Sequence, residues 1–169
     1  MPLPTYITHQ DNLLTIDSDK EPWIKDFPVP GADICPLFFD PQNGIWVVRA
    51  KVGPGIVLSN HFHTGTVHLF TMSGNWNYSQ YPHQPQTAGC YLYEPGGSIH
   101  QFTTPASNTE ATDMFMVIYG ANINFDADGN FVNIGDSGFI EMMLNKVASE
   151  RGISPLKYIR SLGAAYSVR

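Results

Sequence analysis

The sequence predicts an all-β fold, a sandwich or barrel of short strands that is followed by a little helix. Short apolar or alternating runs follow one another along most of the chain, and Gly or Pro separates most of them. The 15 Gly and 13 Pro, with only 14% charged residues, are typical of a turn-rich globular β protein. The apolar spacing changes to a helical period only near the end of the chain.

The first part of the chain, residues 1–34, is predicted to be an N-terminal arm or a set of edge strands. Its prolines favour extended and turn conformations over helix. A short strand signal at 37–39 precedes turn residues and then the run 45–52, which alternates as a half-buried strand requires. Trp46, Val48, Ala50 and Val52 share one face of that strand, and Arg49 and Lys51 share the other.

Further strands are predicted at short intervals, and together they make residues 35–135 a β-barrel within a single domain, 1–169. These strands are 56–63, 67–72, 75–81, 89–93, 99–103, 114–123 and 130–134. The last two are joined through the turn residues 126–129. Their D-x-D-G pattern resembles part of a calcium loop, but the remaining loop ligands are missing, so a turn is predicted.

The segment 136–169 is predicted to be helical. Ser137 can cap a helix that closes near Gly152, and Ser154 with Pro155 can open a second, shorter helix. The apolar stripe of the first helix consists of Phe139, Ile140, Met143, Leu144 and Val147.

Charge and cysteine usage narrow the function classes. The formal net charge is −6 and no run of Lys or Arg offers a footprint for phosphates, so nucleic acid is not expected as a partner. No leader-like or membrane-spanning apolar run is found, so we expect a cytoplasmic protein without a membrane partner. Cys35 and Cys90 lie far apart and are expected to be reduced and buried.

Three of the six histidines have the spacing of a metal site. His61 and His63 are separated by one residue, so on a strand both imidazoles lie on the same face. His100 begins another predicted strand, after a Pro-Gly-Gly turn that can bring it beside the first. Three neutral imidazoles can bind iron, zinc, copper or nickel, so a divalent metal site at these histidines is predicted without naming the metal.

Two stretches of the chain resemble the cupin motifs. The first is Gly55-x5-His61-x-His63 followed by Gly74, and the second is Gly89-x5-Pro95-x-Gly97-x2-His100. This resemblance implies a cupin fold, the double-stranded β-helix or jelly-roll barrel, here with short C-terminal helices.

The sequence departs from the cupin pattern at two places. Val67 and His68 occupy the positions where cupins usually carry a ligating glutamate, and Thr104 stands where the second motif commonly ends in Asn. His68 has three interpretations: a fourth ligand, a residue that hydrogen bonds to a ligand, or a strand residue turned outward. His9 and His83 lie in irregular segments and are expected at the surface.

Without the glutamate, three imidazoles leave the full charge of the ion, which favours substrates that chelate as anions through two oxygens. With Fe(II), such a site points to C–C cleavage with dioxygen. Residues 61–68 and 91–100 resemble the bacterial 2,4'-dihydroxyacetophenone dioxygenase family. That resemblance implies His61, His63 and His100 as iron ligands and cleavage to 4-hydroxybenzoate and formate, as in the degradation of aromatic compounds.

Aromatic residues on the strands can form a pocket for a phenolic substrate. Trp76 and Phe102 are the preferred members, and Glu94 is interpreted either as a general base or phenol anchor, or as a solvated residue before a turn. Tyr78 and Tyr93 are further candidates, and Trp46, Phe70, Tyr91 and Tyr119 complete the set of available aromatic residues.

Two other functions fit the same residues. One is a non-catalytic zinc-binding cupin, similar to the cupin domains of certain stress-sensing anti-sigma factors. The other is a different metal-dependent cupin enzyme, such as an isomerase or a dioxygenase of another diketone. A homodimer or homotetramer is expected, formed through barrel faces or through the N-terminal arm.

Overall fold

The computed structural model describes residues 13–161 and 163, and the prediction for His9 lies outside them. Within these described residues the elements are twelve strands and one helix. They are β1 Ala32–Asp40, β2 Ile45–Val52, β3 His61–His63, β4 Val67–Ser73, β5 Asn75–Tyr78, β6 Gln86–Thr87, β7 Tyr91–Glu94, β8 Phe102–Thr103, β9 Thr112–Tyr119, β10 Asn122–Phe125, β11 Phe131–Gly135, α1 Ser137–Glu150 and β12 Ile159–Arg160. The all-β prediction is confirmed.

The strands form one large sheet and two small ones. The large sheet has the order β12-β1-β2-β9-β4-β7, and the small sheets are β11-β10-β3 and β6-β5-β8. Alternate residues of β2 are buried, as its sequence pattern predicts, so Trp46 and Val48 face the core. Trp76 of β5 donates from Nε1 to Thr71 Oγ1 of β4, which joins a small sheet to the inner side of the large one.

The apolar run predicted as one strand over 114–123 is two strands in two different sheets. β9 ends at Tyr119 and β10 begins at Asn122, and Gly120 between them has a φ of 80°. That conformation costs a residue with a Cβ about 1–2 kcal/mol, so Gly lets the chain leave the large sheet here. The predicted strand 56–63 is likewise shortened to β3, and 99–103 to β8.

The first C-terminal helix begins as predicted, but its cap is Asp136. The Asp136 carboxylate accepts from the Phe139 N–H, whereas the Ser137 hydroxyl is buried and donates to the Ile45 carbonyl. Leu144 and Ala148 form the buried face of α1. Phe139 is 39% exposed and does not belong to the buried stripe.

The prediction of a second helix after Ser154 is wrong. The chain there is irregular and ends in β12, which pairs in parallel with β1. Tyr158 packs edge-on against Phe39 with 5.2 Å between ring centroids, and its hydroxyl donates to Glu141 Oε1. These tertiary contacts outweigh the local cap and first-turn proline signal at residues 154–155.

The described part of the N-terminal arm pairs beside β1 and crosses the outer side of β2. Ile24 pairs with Ile34 of β1, and Trp23 stacks over Lys51 and Arg49 of β2. The Arg49 guanidinium also binds both carboxylate oxygens of Asp113. This described part of the arm therefore packs on the Arg49 and Lys51 side of β2.

Both cysteines are free thiols, as expected, although Cys90 is only half-buried. His83 is exposed, as predicted. Within residues 13–161 and 163, no helix combines the length and the apolar character that crossing a bilayer requires.

Replacing Gly120 tests the break between β9 and β10. In Gly120→Ala the new Cβ would collide with Thr64 Oγ1 and lie 2.8 Å from Gly65 N, in addition to the unfavourable φ. We expect the free energy of unfolding to fall by roughly 3 kcal/mol, measured by urea denaturation.

Gly129→Ala is the matched control, because Gly129 has a similar φ of 83° and a Cβ added there would meet nothing within 4 Å. Its expected loss is about 1 kcal/mol. Equal losses for the two variants would contradict the close contact between Gly120 and Thr64.

Candidate metal centre

Three histidines converge inside the barrel. Alternation along β3 places His61 and His63 on the same buried face, and His100 is buried beside them. The backbones of His61 and His100 exchange hydrogen bonds of 3.0 and 2.9 Å, which brings their Nε2 atoms to 3.2 Å from each other. One donor atom from each of the three side chains lies within 4.8 Å of the other two.

The protonation of these histidines suits a metal. The His61 Nδ1–H donates to the Ser59 carbonyl at 2.9 Å, which leaves the lone pair on Nε2. Burial lowers the pKa of His61, and it lowers the pKa of His63 to about 3 and that of His100 to about 4. Three neutral imidazoles, each with one ring nitrogen in the cluster, therefore fit a divalent ion.

A carboxylate adjoins this cluster. Glu94 is 5% exposed, and its Oε2 lies 3.5 Å from His63 Nε2 and 3.4 Å from His100 Nε2. Glu94 Oε1 accepts a hydrogen bond from the Tyr78 hydroxyl, whereas the buried Oε2 has no hydrogen-bond partner among the described residues. Burial raises the pKa of Glu94 to about 7, and the Tyr78 hydrogen bond partly opposes that rise.

The interpretation of Glu94 as a solvated residue is therefore wrong. Glu94 is opposite Val67 in the pairing of β7 with β4, and both residues point inward. The position that carries a glutamate in other cupins is apolar here, but a different strand places a carboxylate beside the histidines. An ionised Glu94 would therefore compensate part of the positive charge of a bound ion.

His68 points away from the cluster. Its neighbours Val67 and Leu69 in β4 are buried, so alternation turns the His68 side chain to the outer face. There His68 Nδ1 shares a hydrogen bond of 2.8 Å with the Tyr91 hydroxyl. This placement agrees with the interpretation of His68 as a strand residue turned outward.

A cavity of about 230 Å³ opens beside His100 and Glu94. Of the predicted pocket residues, Tyr78 and Glu94 line it with buried side chains. Tyr93 also borders it, although its ring packs against His68 on the outer side of β7. Trp76 and Phe102 do not; they stack on each other at 4.8 Å in the core, and Trp76 also packs edge-on against Tyr78. Sequence reasoning missed the remaining lining residues, which are Tyr81, Gln84, Gln86, Leu92, Pro95 and Ser98.

The other aromatic candidates are distributed between the core and the outer surface. Trp46 is buried in the core, and Phe70, Tyr91 and Tyr119 are exposed. Period-two alternation could have separated these groups. The segment 80–89, which is irregular except for β6, carries no sequence signal that points to a cavity.

Comparison with known proteins identifies the family. The model of the ChrR cupin-like domain matches residues 11–122. The chain belongs to this cupin family. Among curated proteins no relative matches the chain.

Solved structures share the cupin fold. A protein of unknown function with a cupin-like fold from Ralstonia eutropha JMP134 is 47% identical, with a TM-score of 0.88 over 96% of this chain and 100% of that one. An acetylacetone dioxygenase from Acinetobacter johnsonii is 15% identical, with a TM-score of 0.69 over 87% of this chain and 99% of that one. A putative acetylacetone dioxygenase from Methylibium petroleiphilum PM1 is 19% identical, with a TM-score of 0.69 over 81% and 97%.

Removing one histidine of the cluster tests the metal site. In His100→Ala one of three neutral donors is lost, so we expect the bound divalent metal to fall from about one per chain to a small fraction, measured by elemental analysis after dialysis. His68→Ala is the control, because His68 lies on the outer face. Equal metal loss in both variants would contradict the assignment of the ligands.

Proposed function

We propose that this protein is an Fe(II)-dependent cupin dioxygenase that cleaves a C–C bond of a small substrate chelating through two adjacent oxygens. The observation that carries the proposal is the buried grouping of one ring nitrogen from each of three neutral histidines with an unpaired carboxylate oxygen, beside one cavity and all within the described part of the chain. His61, His63 and His100 would hold the ion, which when bound supplies Lewis acidity and a site for dioxygen.

The chain's own residues contribute binding and proton handling. Glu94 Oε2 lies on the side of His63 and His100, where it can accept the proton that a substrate hydroxyl loses on chelation. Tyr78 holds the other Glu94 oxygen and packs against the His100 ring, with 4.3 Å between ring centroids. The surrounding buried side chains keep bulk water away from this carboxylate.

We infer an aromatic α-hydroxyketone, 2,4'-dihydroxyacetophenone, as the first substrate to test. Its ketone and hydroxyl form a five-membered chelate, and the cavity offers Tyr81, Gln84 and Gln86 as hydrogen-bonding groups for a phenol. The bond between the carbonyl and hydroxymethyl carbons breaks, and each carbon gains one atom of O2. The two carbons supply the four electrons, and 4-hydroxybenzoate and formate account for all atoms.

Two other functions compete with this one. A β-diketone substrate is favoured by the shared fold with acetylacetone dioxygenases, but such a substrate has no group that would use the polar lining. A zinc-binding sensor is favoured by the same three histidines, but it needs neither the cavity nor the carboxylate.

Oxygen consumption separates these functions. Metal-stripped protein is reloaded anaerobically with Fe(II), and oxygen uptake is followed after addition of 2,4'-dihydroxyacetophenone or acetylacetone. We expect uptake with the hydroxyketone, with 4-hydroxybenzoate and formate formed in equal amounts, and none in His100→Ala.

Oxygen uptake with acetylacetone alone would indicate that the substrate is a β-diketone and not a hydroxyketone. Stoichiometric iron without uptake on either compound, together with tight zinc binding, would favour the sensor.

The role of Glu94 has its own test. Glu94→Gln keeps the size of the side chain and an oxygen that can accept from Tyr78, so metal content should stay unchanged. Loss of the proton acceptor should lower kcat by roughly 10²- to 10⁴-fold, measured by steady-state kinetics at matched iron content. Loss of metal in this variant would instead indicate that Glu94 ligates the ion, and unchanged kcat would eliminate its role as a base.

A further inference from the structure

Asn122 of β10 lies directly opposite His63 of β3, one of the three histidines of the candidate metal centre. In the next pair of the ladder, the Thr64 N–H donates to the Ala121 carbonyl at 2.9 Å. Because hydrogen-bonded and non-hydrogen-bonded pairs alternate along an antiparallel ladder, Asn122 and His63 form a non-hydrogen-bonded pair. The side chains of such a pair share one face and lie close together, with Cβ atoms about 4.5–5.5 Å apart.

Each of these two side chains holds a buried polar atom that has no hydrogen-bond partner among the described residues. The two atoms are Nδ1 of His63 and Oδ1 of Asn122. Their chemistry is complementary, because a ring nitrogen that carries a proton donates and an amide oxygen accepts. Buried polar atoms are rarely left unpaired in folded proteins, so two of them on facing side chains indicate a contact that these residues can make.

The other nitrogen of the His63 ring lies on the side of the metal centre. His63 Nε2 is 3.5 Å from the free oxygen of Glu94, and His100 Nε2 is 3.4 Å from the same oxygen. An ion held by His63 through Nε2 requires the ring proton to be on Nδ1, and that N–H then needs an acceptor. The strand pairing supplies Asn122 Oδ1 as this acceptor.

The ladder neighbour on the other side of Asn122 offers no polar side chain. β11 places Gly135 there, and a Cβ added to Gly135 would lie 3.3 Å from Ile140 Cδ1 and 3.8 Å from Asn122 Cβ. Gly135 cannot bind the amide through a side chain, and Ile140 of α1 lies close to that position. The ladder therefore leaves the His63 ring as the neighbour that can pair with the Asn122 oxygen.

The same two strands carry a matched pair in which both side chains already have partners. Asn124 of β10 is opposite His61 of β3, on the same side of the ladder as the first pair. The His61 Nδ1–H donates to the Ser59 carbonyl, and Asn124 Nδ2 donates to Asn133 Oδ1 at 2.8 Å. His61 thus has a backbone acceptor for its ring proton, whereas His63 has none among the described residues.

We propose that Asn122 positions His63 as a metal ligand by accepting a hydrogen bond from its Nδ1–H, which keeps the Nε2 lone pair directed at the ion. The proposal rests on the three-histidine metal centre of the proposed function, but not on the substrate or on the reaction with oxygen. Asn122 acts on the ion only through the histidine ring, so it is a positioning residue. Loss of such a partner typically weakens metal binding by roughly 10- to 100-fold.

The zinc affinity of the full chain tests this proposal, measured after metal removal by competition with a chromophoric chelator. Asn122→Leu has a side chain of similar size without the acceptor, so we expect it to bind zinc roughly 10- to 100-fold more weakly than the wild type. Asn122→Asp keeps an acceptor oxygen, so its affinity should stay within about threefold of the wild type or increase. Asn124→Leu is the matched control and should also stay within about threefold, because His61 has its own acceptor.

Nuclear magnetic resonance of the zinc-loaded chain with isotope-labelled histidine observes the hydrogen bond itself. We expect slowly exchanging Nδ1 protons on both His61 and His63 in the wild type and in Asn122→Asp. In Asn122→Leu the His63 signal should be lost while the His61 signal stays. A general loosening of the fold would instead affect both signals.

Three results would overturn the proposal. They are unchanged zinc affinity in Asn122→Leu, equal weakening in Asn124→Leu, and an Asn122→Asp variant that binds zinc as weakly as Asn122→Leu. If circular dichroism shows that Asn122→Leu does not fold, Asn122→Ala is measured in its place with the same expectations. A wild type that binds no zinc would overturn the metal centre together with this proposal, whereas tight zinc binding without oxygen uptake by the iron-loaded chain would overturn only the proposed reaction.

Discussion

Two backbone hydrogen bonds between His61 and His100 hold the centre together. They join segments that are far apart in the chain, as an isolated bridge between β3 and the residue two positions before β8. Once this pairing is made, strand alternation leaves His61 and His63 on one face, and His100, just before β8, completes the group from the opposite side of the bridge. Gly120 lets the chain pass from the large sheet into β10, and β10 pairs with β3, the strand that carries His61 and His63.

Burial determines the electrostatics of the site. Three imidazoles stay neutral because charging them inside the barrel would cost too much solvation, and the same effect raises the pKa of Glu94. The general cupin motif, which this chain resembles, has a glutamate shortly after the first histidine pair, whereas here Glu94 of β7 lies beside the histidines. The carboxylate that lies beside the histidines therefore comes from outside the first motif, and its free oxygen faces two of the histidine rings.

The two sides of β4 and β7 present different kinds of residue. Their inner side supplies core residues and Glu94, and their outer side carries His68 and its ring of tyrosines. A histidine that attracts attention in the sequence therefore belongs to the surface, and a glutamate that looks like a turn residue belongs to the site.

The sequence by itself determined the all-β class, the alternation of β2, the start of α1 and the three converging histidines, because these depend on local periodicity and on short motifs. Only the tertiary structure decided the rest. Residues 154–160 pair with β1 instead of forming a helix, since Tyr158 has partners on Phe39 and Glu141 that no local pattern reveals. Glu94 joins the histidines, and Trp76 and Phe102 withdraw into the core, because which face of a strand is inward depends on how the sheets stack.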